Sequence, residues 1–244
     1  MNSTPVKGLH YVLEGISLIK QPQLRSFVLA PLVVSFVVYS VLGYFCVSQF
    51  DVITSALMAY LPDWEWLMWL IQTVLTLSII LIFTFTFTML TNFIASPFLS
   101  LLAEKTELFI TGQPINTKTG WAAALKSVPL SLAREVQKLL YYFPRLLLVL
   151  IITIIPGINS IAPIIWFMFG AWMMSVQYLD YPIDANQLNF AALKSHLKNN
   201  RASTLVFGAF ITLLLMIPFV SIIIVPAAVA GATAFWAKEE KNKL

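Results

Sequence analysis

The chain has 244 residues, of which 59% are hydrophobic and only 11% charged, with a mean hydropathy of +0.84. That balance excludes a water-soluble domain of ordinary composition and places the chain in a bilayer. The formal charge of +4 does not point to nucleic acid, because the basic residues gather at the ends of apolar runs, where topology and lipid headgroups use them.

Residues 1–20 lack the apolar core of a cleavable signal. Leu9, Val12, Leu13, Ile16, Leu18 and Ile19, with Lys7, His10 and Glu14 among them, predict a partly amphipathic helix lying on the membrane surface. Lys20-Gln-Pro-Gln-Leu-Arg-Ser26 follows, at the lip of the first long apolar run. Pro22 has no N–H to lose, so it suits a helix start. The reading predicts that the first-turn N–H groups of Gln23, Leu24, Arg25 and Ser26 lack partners. Together with the helix dipole and the Arg25 guanidinium they would form a seat for an oxyanion. Lys20 and Arg25 also suit a plainer role, marking the cytoplasmic end of a membrane helix.

Residues 27–47 carry no charge and are long enough to cross the hydrocarbon layer. Lone Cys46 lies inside this run, so no internal disulfide is possible and a packing role is expected. Residues 48–65 hold Asp51, Asp63 and Glu65 without Lys or Arg, beside Tyr60, Trp64, Trp66 and Trp69, the residues of an interfacial belt. A second uncharged run, 66–96, contains Thr84, Thr86, Thr88, Thr91 and Asn92, whose polar groups bond across helices, line a wet path or return to the backbone. Pro97 then opens a polar region, 98–138, with Glu104, Lys105, Glu107, Lys118, Lys126, Arg134, Glu135 and Lys138 and a Thr-Gly-Gln-Pro turn at 111–114. The excess of basic residues over the preceding loop puts this region, and the N-terminus, in the cytoplasm.

The remaining apolar material is broken by proline. Residues 139–179 turn at Pro156-Gly157-Ile158-Asn159, and residues 205–236 are interrupted at Pro218 and Pro226. Lys194, Lys198 and Arg201 lie between these two stretches, and Lys238, Lys241 and Lys243 follow the second. The charges suit hairpins that return to the side they left, or full crossings with short outer turns. Short arms favour the former. The expected fold is therefore an all-α integral membrane protein, one helical domain over residues 1–244, with two spanning helices (27–47 and 66–96), a cytoplasmic-side helical region (98–138) and two re-entrant hairpins (139–179 and 205–236). Broken helices at membrane depth require packed protein or a water-filled path around them.

Arg134, Lys138 and Arg145 fall within about 40° of one another on a continuous helix. Arg145 lies well inside apolar sequence, where an ionisable group marks either a pathway or a side chain reaching for headgroups. Glu104, Glu107 and Glu135 are candidate partners for these cations. Asp180 and Asp184, four apart, read as a helix cap and turn or as cation ligands. The sequence has no phosphate-binding G-x-x-x-x-G-K-[ST], no H-E-x-x-H, no Cys/His cluster and no G-x-S-x-G; His10 and His196 are isolated. Neither an enzyme, nor a metal site, nor a cofactor is expected.

Several stretches resemble the bacterial CysZ sulfate permeases: Gln21-Pro22-Gln23-Leu24-Arg25-Ser26-Phe27-Val28, Ala95-Ser96-Pro97-Phe98, Leu102-Ala103-Glu104 and Phe143-Pro144-Arg145. So do Ile155-Pro156-Gly157-Ile158, Ala162-Pro163, Tyr178-Leu179-Asp180-Tyr181-Pro182 and Gly231-Ala232-Thr233-Ala234. The resemblance implies sulfate uptake across the bacterial inner membrane for cysteine synthesis, by a homo-oligomer (a dimer or larger) with both termini cytoplasmic. It also implies a sulfate site at Pro22, Gln23, Leu24, Arg25 and Ser26. Gln23 stands where the family pattern has Gly, and Ser26 where it has a second Arg. Glu104, Arg134, Glu135, Lys138 and Arg145 are the expected pathway residues. The alternative function is an anion-sensing membrane scaffold or accessory subunit that does not transport.

Overall fold

The computed structural model describes residues 5–58, 65–113, 121–157, 159–217 and 220–239. The elements among them are all helical: α1 (Pro5–Leu18), α2 (Pro22–Met58), α3 (Glu65–Thr111), α4 (Trp121–Ile154), a 3-10 turn at Asn159–Ile161, α5 (Ala162–Ala185), α6 (Phe190–Asn199), α7 (Arg201–Leu215) and α8 (Ser221–Glu239). Five stretches are long and apolar enough to cross a membrane: Pro22–Gln49, Glu65–Thr84, Ala133–Ile154, Asn159–Ala185 and Ser221–Glu239. The chain is an all-α, multi-pass membrane protein. Tyr60, Asp63, Trp64, Pro114, Lys118, Ile158, Pro218, Lys241 and Lys243, singled out above, lie outside the described residues. So do the side chains of Cys46, Asp51, Thr88, Thr91, Asn92 and Lys126.

Two units make up the chain, residues 29–96 and residues 1–28 with 97–244. In the first, Phe36, Phe45, Trp69, Leu77 and Ile82 turn outward, as side chains meeting lipid do. The hydroxyl of Thr84 donates to the Ile80 carbonyl at 2.7 Å, and those of Thr73 and Thr76 donate one turn back in the same way. The backbone role is therefore the one seen for these threonines. At 37 and 47 residues, α2 and α3 are about 56 and 70 Å long, well beyond the hydrocarbon thickness.

Pro97 opens the polar region without ending the helix: α3 runs through it to Thr111. A proline removes one ladder bond, and an apolar setting leaves the chain no better way to pair the rest. The end comes where Gly112 adopts φ +68° and its N–H donates to the Leu108 carbonyl at 2.9 Å, a left-handed cap that suits glycine. Pro226 likewise sits inside α8 rather than dividing it.

In the second unit, α4 and α5 form an antiparallel hairpin around the turn containing Gly157, whose φ of +89° a side chain would strain. The Trp166 indole donates to Thr153 Oγ1 at 3.1 Å near the turn, and the Trp172 indole to the Tyr141 hydroxyl at 3.1 Å farther from it. Both arms are long enough to cross, so length does not separate a re-entrant hairpin from a full crossing. In the second hairpin, α7 has 15 residues and α8 has 19.

One apolar face of α1 (Tyr11, Val12, Leu18) is buried, packed against α7 and α8, while Val6 and Leu13 stay exposed. Gly8 and Gly15, seven apart, share that face. A methyl on Gly15 would strike the Ala227 carbonyl and come within 2.7 Å of the Gly231 amide nitrogen, so the two backbones touch as small residues allow. Tyr11 stacks on Phe235 at 4.7 Å between centroids. Ion pairs close the contact, Lys7 to Glu239 at 2.7 Å and Lys238 to Glu14 at 2.6 Å. Glu239 also accepts from the Tyr11 hydroxyl at 3.0 Å. Burial, reinforced by Glu239, raises the Tyr11 pKa well above the usual phenol range.

Candidate functional site

The junction between α1 and α2 is a tight turn. The Gln21 N–H donates to the Leu18 carbonyl at 2.9 Å, and α2 then starts at Pro22. Of the four N–H groups expected to be unpartnered, only that of Gln23 has no partner among the described residues. The Gln21 carbonyl accepts from Leu24 at 3.0 Å and from Arg25 at 3.2 Å, and the regular helix pairs Ser26 with Pro22. The reason is register: with Pro22 as the first helical residue, the orphan donors belong to residues 21–24, so Arg25 already makes an ordinary ladder bond. The Leu24 side chain is buried and anchors the turn, whereas Lys20, Gln23, Arg25 and Ser26 are exposed. Arg25 Nε donates to the Lys20 carbonyl at 2.9 Å. That bond fixes the guanidinium at the turn and leaves its Nη groups without an acceptor among the described residues. What remains for an anion is a fork of Arg25 N–H groups, the Ser26 hydroxyl, the Gln23 amide and the nearby Lys20 ammonium, with no carboxylate among residues 20–26.

A second constellation lies between α4 and α5. Arg134 Nε donates to Asp180 Oδ1 at 2.8 Å. Its Nη2 stands 2.8 Å from the same oxygen, off the hydrogen-bond line. Nη1 donates to the Leu188 carbonyl and lies 3.5 Å from Asp184 Oδ1. Lys138 pairs with Glu135 and stands 3.5 Å from Asp180 Oδ2, with the Tyr181 ring at 5.7 Å. Lys138 and Asp180 are only 6% and 4% exposed, so these charges hold one another where water does not reach. Asp180 is thus neither a cap nor a cation ligand but the internal counter-ion of Arg134 and Lys138. Asp184 joins it from the following turn.

Local structure builds this cluster. α5 ends in a left-handed residue, Gln187 at φ 57°, whose N–H donates to the Asp184 carbonyl at 2.8 Å while that of Leu188 donates to Ile183 at 3.0 Å. The reversal aims the Leu188 carbonyl at Arg134. It also positions Asn189 to cap α6 by accepting from the Ala192 N–H at 3.0 Å. Asn186 on the same turn donates to Glu107 Oε2 at 2.6 Å, tying in the far end of α3.

The expected pathway residues are therefore not one set. Arg134, Glu135 and Lys138 come together with Asp180 and Asp184. Glu104 stands apart, 3.9 Å from its neighbour Lys105. Burial raises the Glu104 carboxyl pKa, and Lys105 opposes the rise. Arg145 is exposed, with Nη1 donating to the Tyr141 carbonyl at 2.7 Å and its guanidinium 3.4 Å from the centre of the Tyr141 ring. Sequence reasoning missed the role of the Asp180–Asp184 pair. The available signal was two acids four apart facing two bases four apart across an antiparallel hairpin.

Residues 11–226 match the family model described as "Sulfate transporter CysZ/Etoposide-induced protein 2.4". The chain belongs to this family. A CysZ-family relative in Pseudomonas aeruginosa, named sulfate transporter CysZ, is 40% identical over 98% of this chain and 97% of its own length. Another bearing that name, in Pectobacterium atrosepticum, is 38% identical over 96% of this chain and 86% of its own length. This CysZ-family chain thus matches proteins named as transporters nearly end to end.

Proposed function

We propose that the protein carries sulfate across the bacterial inner membrane, supplying sulfur for cysteine synthesis, and that it is a transporter rather than an enzyme. The observation that carries this reading is the near full-length identity to proteins named sulfate transporters. The chemistry of the α1–α2 turn agrees with it. Sulfate is a dianion that only accepts hydrogen bonds, and residues 20–26 offer donors without a competing carboxylate. Arg25 is the anchor, Ser26 and Gln23 add neutral donors, Pro22 starts the helix and Leu24 holds the turn in place. Purified protein in proteoliposomes should give saturable uptake of labelled sulfate, measured with and without a proton gradient. Binding without uptake would leave the anion-sensing scaffold as the function.

Both termini are cytoplasmic in this reading, and the α4–α5 and α7–α8 hairpins enter and return without reaching the outer face. The protein works as a homo-oligomer in lipid and has no nucleic-acid partner. Ser160→Cys, beside the turn and exposed, in a Cys46→Ser background, should resist an impermeant maleimide applied from outside. Rapid labelling there would make the hairpin a pair of full crossings.

A further inference from the structure

Three cations project from one stripe of α4, and they differ in what holds them. Arg134 and Lys138 face carboxylates. There two bases meet three carboxyl groups, so their donors are already engaged and little is left for an outside anion. Arg145 lies eleven residues beyond Arg134, about 16 Å farther along the helix, inside the membrane-long stretch Ala133–Ile154. It has no carboxylate partner among the described residues. Instead it lies on the Tyr141 ring, 3.4 Å from its centre, with one N–H on the Tyr141 carbonyl at 2.7 Å.

Tyr141 is itself held from two other helices. The Trp172 indole on α5 donates to its hydroxyl at 3.1 Å, and Phe190 of α6 meets its ring edge-on at 5.7 Å. The ring is therefore a fixed shelf, and the guanidinium on it is oriented before any guest arrives. Stacking and one carbonyl offset part of the cost of desolvating the cation. Four of its five N–H groups keep no acceptor among the described residues.

We infer that Arg145 on the Tyr141 shelf is a single-cation seat for a tetrahedral oxyanion, with Tyr141 and Trp172 as positioning residues. One guanidinium with no second cation binds weakly and releases quickly, as a conducting path requires. The guest is sulfate in transit or the phosphate of a lipid headgroup, which present the same acceptor oxygens. The sulfate arm rests on the transport reading above; the headgroup arm does not.

The test uses full-length protein in phosphatidylcholine vesicles, with and without phosphatidylglycerol, and the variants Tyr141→Ala, Tyr141→Phe, Trp172→Phe and Arg145→Lys. If sulfate is the guest, Tyr141→Ala and Arg145→Lys raise KM for sulfate about tenfold in both lipids and leave the maximal rate within about twofold. Tyr141→Phe keeps the ring but loses the Trp172 hydrogen bond, so it and Trp172→Phe both fall between wild type and Tyr141→Ala. If a headgroup is the guest, KM stays put in phosphatidylcholine. Phosphatidylglycerol retained through purification, counted by native mass spectrometry, is then lost in Tyr141→Ala and Arg145→Lys. Unchanged KM together with unchanged lipid retention overturns the seat. A wild-type protein that moves no sulfate overturns the transport reading instead, and the lipid count still decides the seat.

Discussion

Asp180→Ala is expected to destabilise the protein by about 3–5 kcal/mol. The substitution removes the oxygen that meets both Nε and Nη2 of Arg134 and the neighbour of Lys138. It leaves the Arg134 guanidinium, in a place with little water, with only the Leu188 carbonyl and Asp184 at 3.5 Å, while Lys138 keeps Glu135. Replacing both ends, Arg134→Met with Asp180→Leu, should recover most of the loss, because the penalty is the uncompensated charge and not the absence of the pair. Thermal unfolding in detergent, followed by tryptophan fluorescence, reads both variants. An Asp180→Ala protein as stable as wild type would mean that Arg134 finds another partner.

Arg25→Ala should have the largest effect on ligand rather than on fold. Leu24 anchors the turn through burial, and the Gln21 carbonyl bonds do not involve the Arg25 side chain, so the protein should stay folded. Charge-assisted hydrogen bonds to an oxyanion are worth about 1.5–3 kcal/mol, so sulfate affinity should fall about tenfold to a hundredfold. Ser26→Arg should move it the other way by supplying a second guanidinium beside the first. Isothermal calorimetry on purified protein measures both. Equal affinity in wild type and Arg25→Ala would place the site elsewhere.

Much of this fold could be read from the residues, and for an identifiable reason. Uncharged runs such as 27–47 have no other stable home than oil, so α2 and the first part of α3 were legible from composition. Proline was the misleading signal. Pro226 read as a break because it costs a backbone bond, yet α8 absorbs that loss within one turn. The α1–α2 turn was legible as a donor-rich corner, but how many donors stay unpaired depends on which residue starts the helix, a shift of two positions. The Arg134–Asp180 pair was not legible, since 46 residues separate its members and only the register of the α4–α5 hairpin brings them together. The Tyr141 shelf was hidden for the same reason. Arg145 stood out by its charge, but the grip on the ring comes from Trp172 and Phe190 on other helices.

The contact between α1 and α8 carries a consequence for biosynthesis. The earliest described helix to leave the ribosome docks on the latest one, with more than two hundred residues between Lys7 and Glu239. Throughout translation the face holding Tyr11, Val12 and Leu18 has no docking partner in α8, so the nascent segment must wait in the headgroup layer, where its amphipathic pattern lets it rest. Ribosome stalling or truncation before Gly231 should therefore leave that face without its α8 partner, a difference that limited proteolysis of truncated chains would read.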